Sequence, residues 1–283
     1  QVPLWRHQLA AATLARFDAG DSAGWVARAA TGEALLSLSM EGLSSALGIE
    51  LQACPCADGW SVNGRVAALA LGEQSQAALV LVDVDAQPRL LLLDLSAPEI
   101  KRVPAVMTHG EAAADLHIQG LTVNAAALLP AEAVAWLELR SVAALAALQL
   151  GVSEEQIRRT VAYVSERRQF ERVIGSFQAV QMSMADNHIA VEALRTALWQ
   201  LAYRIDAGLP APSEALATAW LASEAGHRIG HTAQHVHGGI GVDLTYPIHR
   251  FLYWSRGLSL ALGGSAAHLE RLGDWLNDNH KRG

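Results

Sequence analysis

Cysteine, charge and glycine-rich nucleotide loops are all scarce in this sequence, and each scarcity narrows what the chain can be. Its 283 residues hold 2 cysteines, Cys54 and Cys56, one residue apart around Pro55. That spacing is poor for a mutual disulfide, and two thiols are too few for structural zinc, so a reducing, cytoplasmic setting is expected and no metal site. Charged residues make up 17%, with 21 Lys+Arg against 28 Asp+Glu for a net −7. No basic block offers itself to a phosphate backbone, which argues against nucleic-acid binding. The apolar runs at 78–82 and 90–93 are cut by charge well short of the ~18–20 residues of a membrane span. The chain opens Gln1-Val2-Pro3 without a basic stretch and apolar core, so no secretory signal is read. Walker, Gly-x-Gly-x-x-Gly and Gly-x-Ser-x-Gly patterns are missing, and Ser44-Ser45 follows no strand-turn-helix elbow.

What is present is apolar substance: 51% hydrophobic residues, ample for one large domain or two ordinary ones. Leu4, Leu9, Ala12, Leu14 and Phe17 recur at helical intervals, predicting a helix over 4–17 that ends at the turn 18–21. Residues 1–31 are read as a short helical start. From Leu35 the texture changes to short strands: Trp60-Ser61-Val62-Asn63-Gly64, then 78–84, then 90–95, punctuated by glycine, aspartate and proline. Asp58-Gly59 and Asn63-Gly64 are turn signals, and the run 77–84 fits a buried strand. Residues 32–128 therefore predict a β-domain. After Pro130 the pattern is helical, with segments 131–150, 153–170, 177–207, 213–237 and 246–277. Ser153-Glu154-Glu155-Gln156 reads as a capping box and Ser213 as a second cap, making 129–283 a helical bundle. The fold class is α+β.

Two clusters could carry chemistry. Glu166-Arg167-Arg168-Gln169-Phe170 lies at a helix end, seven residues before Phe177-Gln178 at the start of the next. Arginine and glutamine in a turn can clamp a pyrophosphate, with Phe170 and Phe177 beside an adenine or flavin edge. The same residues also suit a solvated arginine pair at a helix C-terminus. The second cluster, Gln234-His235-Val236-His237-Gly238-Gly239-Ile240-Gly241, ends a helix in a glycine turn where a ligand can approach the backbone. His227, His231 and His235 recur every four residues, a spacing open to a divalent metal but without a nearby carboxylate or cysteine, which favours a pocket or interface lining.

Together these residues resemble the acyl-CoA dehydrogenase family, flavoproteins that oxidise the α,β bond of acyl-CoA thioesters. The family's Arg-x-Gln-Phe-Gly…Phe-Gln is similar to Arg167-Arg168-Gln169-Phe170-Glu171 and Phe177-Gln178, followed by Ala185-Asp186, Glu192 and Arg195. Its His-Gly-Gly-x-Gly…Tyr-Pro…Arg resembles His237-Gly238-Gly239-Ile240-Gly241, Tyr246-Pro247 and Arg250. The hairpin of its middle β-domain is similar to residues 58–64. The resemblance implies that fold: a middle β-domain, then a C-terminal four-helix bundle, with the N-terminal helical domain mostly absent. It also implies FAD, with Arg167, Gln169, Phe170, Phe177, Gln178, His235, His237, Gly238 and Gly239 as its contacts.

Departures from the family carry as much. The glutamate that abstracts the α-proton aligns with Gly263, and the position used by other relatives falls on Ser141. Glu138, one turn from Ser141, is the fallback. Where the family has its Trp-Ile-Thr flavin platform, this chain reads Ala68-Leu69-Ala70-Leu71, and the loop covering flavin and thioester corresponds to 38–43 without most of its residues. One set of FAD contacts is kept and the other lost, as in a non-catalytic subunit of the heteromeric, steroid-CoA type. The implied assembly is α2β2 with a related chain, acting on an acyl-CoA and passing electrons to an electron-transfer flavoprotein. The alternatives are a self-sufficient homo-oligomer using Glu138 and a scaffold that binds acyl-CoA or a partner without turnover.

Overall fold

A computed structural model describes residues 4–17, 22–43 and 48–280, and divides the chain into two units, Gln1–Ser141 and Val142–Gly283. The first unit opens with helices α1 (Leu4–Phe17) and α2 (Ser22–Thr31). A seven-stranded sheet follows: β1 (Leu36–Ser39), β2 (Leu51–Cys56), β3 (Gly59–Ala70), β4 (Ala77–Val84), β5 (Gln87–Asp94), β6 (Ile100–Val106) and β7 (Ala112–Val123). Their order is β1-β4-β2-β3-β7-β6, with β5 antiparallel to β4.

Strand β4 shows why an unbroken apolar run is needed here. Side chains alternate across a sheet, so a strand covered on both sides must be apolar at every position. Ala78, Val80 and Val82 pack with Val62, Leu69, Leu91 and Leu116. Ala77, Leu79 and Leu81 pack with Leu14 of α1, Leu36, Leu90 and Leu129. Helix α1 is also held by polar bonds: Arg6 to Glu111 at 3.3 Å, and the Leu36 N–H donating to His7 Nδ1 at 3.1 Å. Burial opposes ionisation of Glu111, but His109 and Arg6 outweigh it and keep the carboxyl below its ordinary range.

The long helix α3 (Glu132–Glu166) leads into the second unit, which continues with the two-stranded hairpin β8 (Arg168–Gln169) and β9 (Arg172–Val173). Helices α4 (Gln178–Asp206), α5 (Pro212–His237), α6 (Ile248–Leu262) and α7 (Ser265–His280) complete it.

Several expectations need correction. Asn63-Gly64 is no turn but lies inside β3 at a register shift, with Gly64 at φ +128°. A Cβ there would sit 2.1 Å from the Glu50 carbonyl oxygen, so close strand approach is what demands glycine. The segments 131–150 and 153–170 join into one helix, α3, that stops at Glu166, with Arg168-Gln169 in strand β8 instead of helix; a lone Gly151 costs about 1 kcal/mol in a helix interior, less than the packing on either side returns. Ser153 is accordingly no cap; it is buried and accepts a bond from Gln149 Nε2 at 2.9 Å. At α5 the cap position is Ala211 with Pro212 in the first turn, and Ser213 bonds Glu214 instead. The segment 246–277 breaks at Gly263-Gly264, both with positive φ. Helix α2 adds a second N-terminal helix. The turn 18–21, Ser44-Ser45 and Gln1-Val2-Pro3 lie outside the described residues.

The reading of apolar runs changes as well. By length and composition alone α3 could cross a membrane, although 44% of its most apolar window is buried inside the protein. No unbroken apolar run marks this helix, because Glu138 and Arg140 interrupt a stretch that is apolar only on average.

Candidate functional site

The first cluster sits on a tight hairpin. Strands β8 and β9 pair Arg168 with Val173 and Gln169 with Arg172, leaving Phe170-Glu171 as a two-residue loop. Both loop residues have positive φ, +52° and +64°, as the mirror-image turn of a short hairpin requires. Glycine or asparagine would satisfy that turn at less cost, so phenylalanine there stores strain. The Phe170 ring is 86% exposed, touching the Phe177 ring edge-on at 6.2 Å. Arg172 lies over the other aromatic, 3.8 Å from the Phe177 centroid.

The polar members of the cluster divide into used and unused. Arg168 Nη2 donates to the Glu171 carbonyl and Gln169 Nε2 to the Arg168 carbonyl, so both side chains brace the hairpin. Arg167 is fixed through its backbone, its N–H donating to Tyr163 at 2.8 Å and its carbonyl accepting from Ile174 at 2.8 Å. Its exposed guanidinium has no partner among the described residues. Gln178, first residue of α4, is exposed as well.

The second cluster closes α5. Gly238 takes φ +62° and ψ −140°, and a one-turn 3-10 segment over Gly238–Val242 carries the chain to Tyr246-Pro247 and α6. Gly238 and Gly239 are exposed, and a Cβ at either would meet nothing within 4 Å, leaving a bare backbone shelf. His235 is exposed one turn earlier; His237 is 3% exposed. The His237 Nδ1–H donates to the Ala233 carbonyl at 2.8 Å, and the ring stacks on Tyr163 at 4.3 Å. Burial pushes the His237 imidazole below its ordinary pKa and outweighs the Ala233 bond, so the ring is neutral. His237 is therefore a wall of this turn, and its exposed neighbours are the groups within a ligand's reach.

Tyr163 joins the two clusters, and the sequence analysis missed it. Its carbonyl holds Arg167, its ring supports His237, and its hydroxyl reaches the His237 carbonyl at 3.5 Å. Tyr246 meets His237 from another side at 5.5 Å, and an open cleft of about 380 Å³ borders both tyrosines. The available signal was spacing, since Tyr163 precedes Arg167 by one helical turn.

The other positions fall elsewhere. His227 and His231 are exposed with ring centroids 4.5 Å apart, and Arg256 reaches His227 Nδ1 at 3.4 Å. No three His, Cys, Asp or Glu among the described residues could hold a metal ion. Arg195 bridges Glu154 and Glu192, a tie between α3 and α4. Gly263 caps α6 with φ +96°; Ser141 is buried on α3, and Glu138 is half-buried one turn before it. In the first unit Ala68-Leu69-Ala70-Leu71 is closed on itself: the Ala68 N–H donates to Asp115 Oδ1 at 2.7 Å, and Arg65 pairs with Asp115 Oδ2 at 2.8 Å. That N–H keeps the Asp115 carboxyl below its ordinary pKa, against burial and with help from Arg65. Leu69 is fully buried, and the Leu71 N–H donates to Ala112 at 2.8 Å.

Comparison with known proteins gives this geometry a context. The family model described as acyl-CoA dehydrogenase, C-terminal domain, matches residues 140–277. The acyl-CoA dehydrogenase FadE27 of Mycobacterium tuberculosis is 34% identical over 275 residues, covering 94% of this chain and 73% of that protein. FadE28 of the same organism is 28% identical over 218 residues, 75% of this chain and 62% of its own length. Among solved structures, a variant of the Tcur3481-Tcur3483 steroid ACAD superposes with a TM-score of 0.91 at 33% identity, covering 99% of this chain and 77% of that one. The ChsE4-ChsE5 complex from Mycobacterium tuberculosis gives 0.90 at 33% identity, with 98% and 76% covered. Butyryl-CoA dehydrogenase from Megasphaera elsdenii, at 20% identity and 0.85, shares the fold. With a relative above 30% identity matched over most of both lengths, and the same β-domain-to-bundle architecture, the chain belongs to the acyl-CoA dehydrogenase family.

Proposed function

We propose that this chain is one subunit of a heteromeric, FAD-dependent acyl-CoA dehydrogenase and that it contributes the adenosine and diphosphate contacts of FAD to a related partner chain. The observation that carries the reading is the hairpin at 167–171, an uncommitted guanidinium beside a strained, 86% exposed phenylalanine. An exposed aromatic held in a strained turn costs the isolated chain stability and is explained by a ligand or partner that covers it, and the solvated guanidinium beside it is free to pair with an anion. The kinship with the Tcur3481-Tcur3483 and ChsE4-ChsE5 proteins, both named as pairs of chains, supports an assembly with a related partner chain, for which we propose α2β2.

The residues present fit the diphosphate end of FAD. Arg167 supplies charge-assisted bonds to phosphate oxygens, Gly238 and Gly239 allow close backbone approach, and His235 and Gln178 stand exposed for further polar contacts. Phe170 and Phe177 offer apolar edges to the adenosine, while Gln169 and His237 hold the hairpin and the turn in shape. When bound, FAD supplies the redox chemistry of α,β-dehydrogenation of an acyl-CoA, a steroid side-chain thioester by analogy with the named steroid relative. This chain's own part is positional. Gly263 has no side chain to take a proton and the Ser141 hydroxyl is no base, so the α-proton goes to a glutamate of the partner, with Glu138 left a structural role on α3. The electrons pass to an electron-transfer flavoprotein, and the assembly works in the cytoplasm.

The test is flavin retention. Arg167→Ala in the co-purified complex should leave the fold intact and weaken FAD binding by about 1.5–3 kcal/mol, roughly ten- to a hundred-fold. Flavin occupancy unchanged after extensive dialysis would overturn the role given to the hairpin.

A further inference from the structure

Cys54 and Cys56 take no part in the site above, yet their placement is specific. Both are free and exposed on β2, with Pro55 between them. Along this strand Leu51 and Ala53 are buried while Gln52, Cys54 and Cys56 are exposed, so period-2 alternation puts both thiols on the same side of one strand. Pairing with β3 runs unbroken through the motif, Cys54 opposite Ser61, Pro55 opposite Trp60 and Cys56 opposite Gly59. The opposite edge of β2 pairs with β4 only at Gln52, so the N–H that Pro55 lacks costs no ladder bond there. The two thiols are thus mounted on a stiff arm at a fixed spacing.

That spacing selects the chemistry. A strand advances about 3.3 Å per residue, so the two Cα atoms and their parallel Cβ atoms are about 6.6 Å apart. A disulfide prefers Cβ atoms about 3.8 Å apart, so the strand resists forming one. A metal held in line between two thiolates needs sulfurs about 4.6 Å apart, twice a bond of about 2.3 Å. Two side chains leaning toward each other from Cβ atoms about 6.6 Å apart reach that distance without moving the strand. Structural zinc would require four ligands, and no third His, Cys, Asp or Glu joins the pair among the described residues. Soft thiolates with few ligands select a soft monovalent ion such as Cu(I).

We propose that Cys54 and Cys56 form a two-coordinate dithiolate site for a soft monovalent cation of the Cu(I) class. Binding exchanges the thiol protons for the metal and involves no electron transfer. The site is independent of the flavin reading, and its test contains no flavin signal.

The experiment is an anaerobic titration of the reduced full chain, alone and in its complex, with Cu(I) supplied as its bathocuproine complex. The wild-type chain should withdraw Cu(I) in equal stoichiometry, with two sulfur neighbours seen by X-ray absorption. Cys54→Ser and Cys56→Ser should each weaken uptake by about 10²–10⁴-fold, the usual gain from a second tethered ligand, without lowering the melting temperature. Zn(II) at the same concentration should not compete. Uptake that survives the double Cys→Ser variant, effective competition by Zn(II), or disulfide-linked dimers forming in place of uptake would each overturn the proposal.

Discussion

The hairpin at 167–178 carries contacts proposed above for FAD, the strand end at 65–71 stands where the resemblance would put a flavin platform, and the structure treats the two regions in opposite ways. At the hairpin Arg167 is uncommitted and Phe170 stands in solvent, and at the end of α5 the shelf of Gly238 and Gly239 is bare. At the strand end the Ala68 N–H is spent on Asp115, Arg65 is spent on the same carboxylate, and Leu69 is buried. A buried or paired polar group has already exchanged its water for protein, so it gains little by turning to a ligand. On the proposed reading, binding capacity goes with polar and aromatic groups left open to solvent, and its loss with groups satisfied inside the protein.

The sharpest way to break that contrast is to purify the chain alone. With only the open half present it should carry essentially no flavin, whereas the co-expressed complex should be yellow; stoichiometric flavin absorbance from the lone chain would mean that the strand end binds after all.

Next in size is a pair of glycines. Gly64→Ala should destabilise the first unit by about 1–3 kcal/mol from its backbone conformation alone, with the clash against Glu50 added. Gly239→Ala meets open space and should leave the melting temperature unchanged while lowering flavin occupancy of the complex. A melting temperature that falls for Gly239→Ala and not for Gly64→Ala would invert the assignment of structural and ligand-facing glycine.

Asp115→Ala should cost about 1 kcal/mol, since it orphans the Ala68 N–H at a partly solvated site, and should not change flavin content. Denaturant unfolding of the variant checks the first part and absorbance the second; any change in flavin content would tie the closed half to the ligand.

The smallest effect is acid sensitivity from His237. Its folded pKa is depressed, so below an unfolded value of about 6.5 the unfolded chain binds a proton that the native chain refuses, and stability falls as pH drops from there through the folded pKa. His237→Phe keeps a ring against Tyr163 and should flatten that slope in melting curves taken from neutral pH downward. An unchanged slope would show that His237 is not held neutral in the native turn.

Much of this was legible in the sequence because the signals are local. The run 77–84 had to be a strand covered on both faces, residues 4–17 do form α1, and the segments 177–207 and 213–237 correspond to α4 and α5 within a residue or so. The misreadings share a cause: Gly64, Gly151 and Ser153 carry strong local meanings that long-range packing overrides. Strand approach at Glu50 made one glycine a bulge, and burial along α3 absorbed a glycine and a serine that would otherwise stop and start helices.

The sequence by itself determined the family, the order of sheet and bundle and the residues of the two motifs at 166–178 and 234–241, because these follow from residue type and spacing, whereas the hairpin at 168–173 reads in the sequence as the end of a helix. Only the tertiary structure decided which of those residues are free to act. Whether Arg167 is uncommitted, whether the Ala68 N–H is already taken by Asp115, and that Tyr163 links two segments some seventy residues apart all depend on partners brought from elsewhere in the chain. Hydrogen-bond satisfaction is a property of three-dimensional neighbours, and no pattern along the chain encodes it.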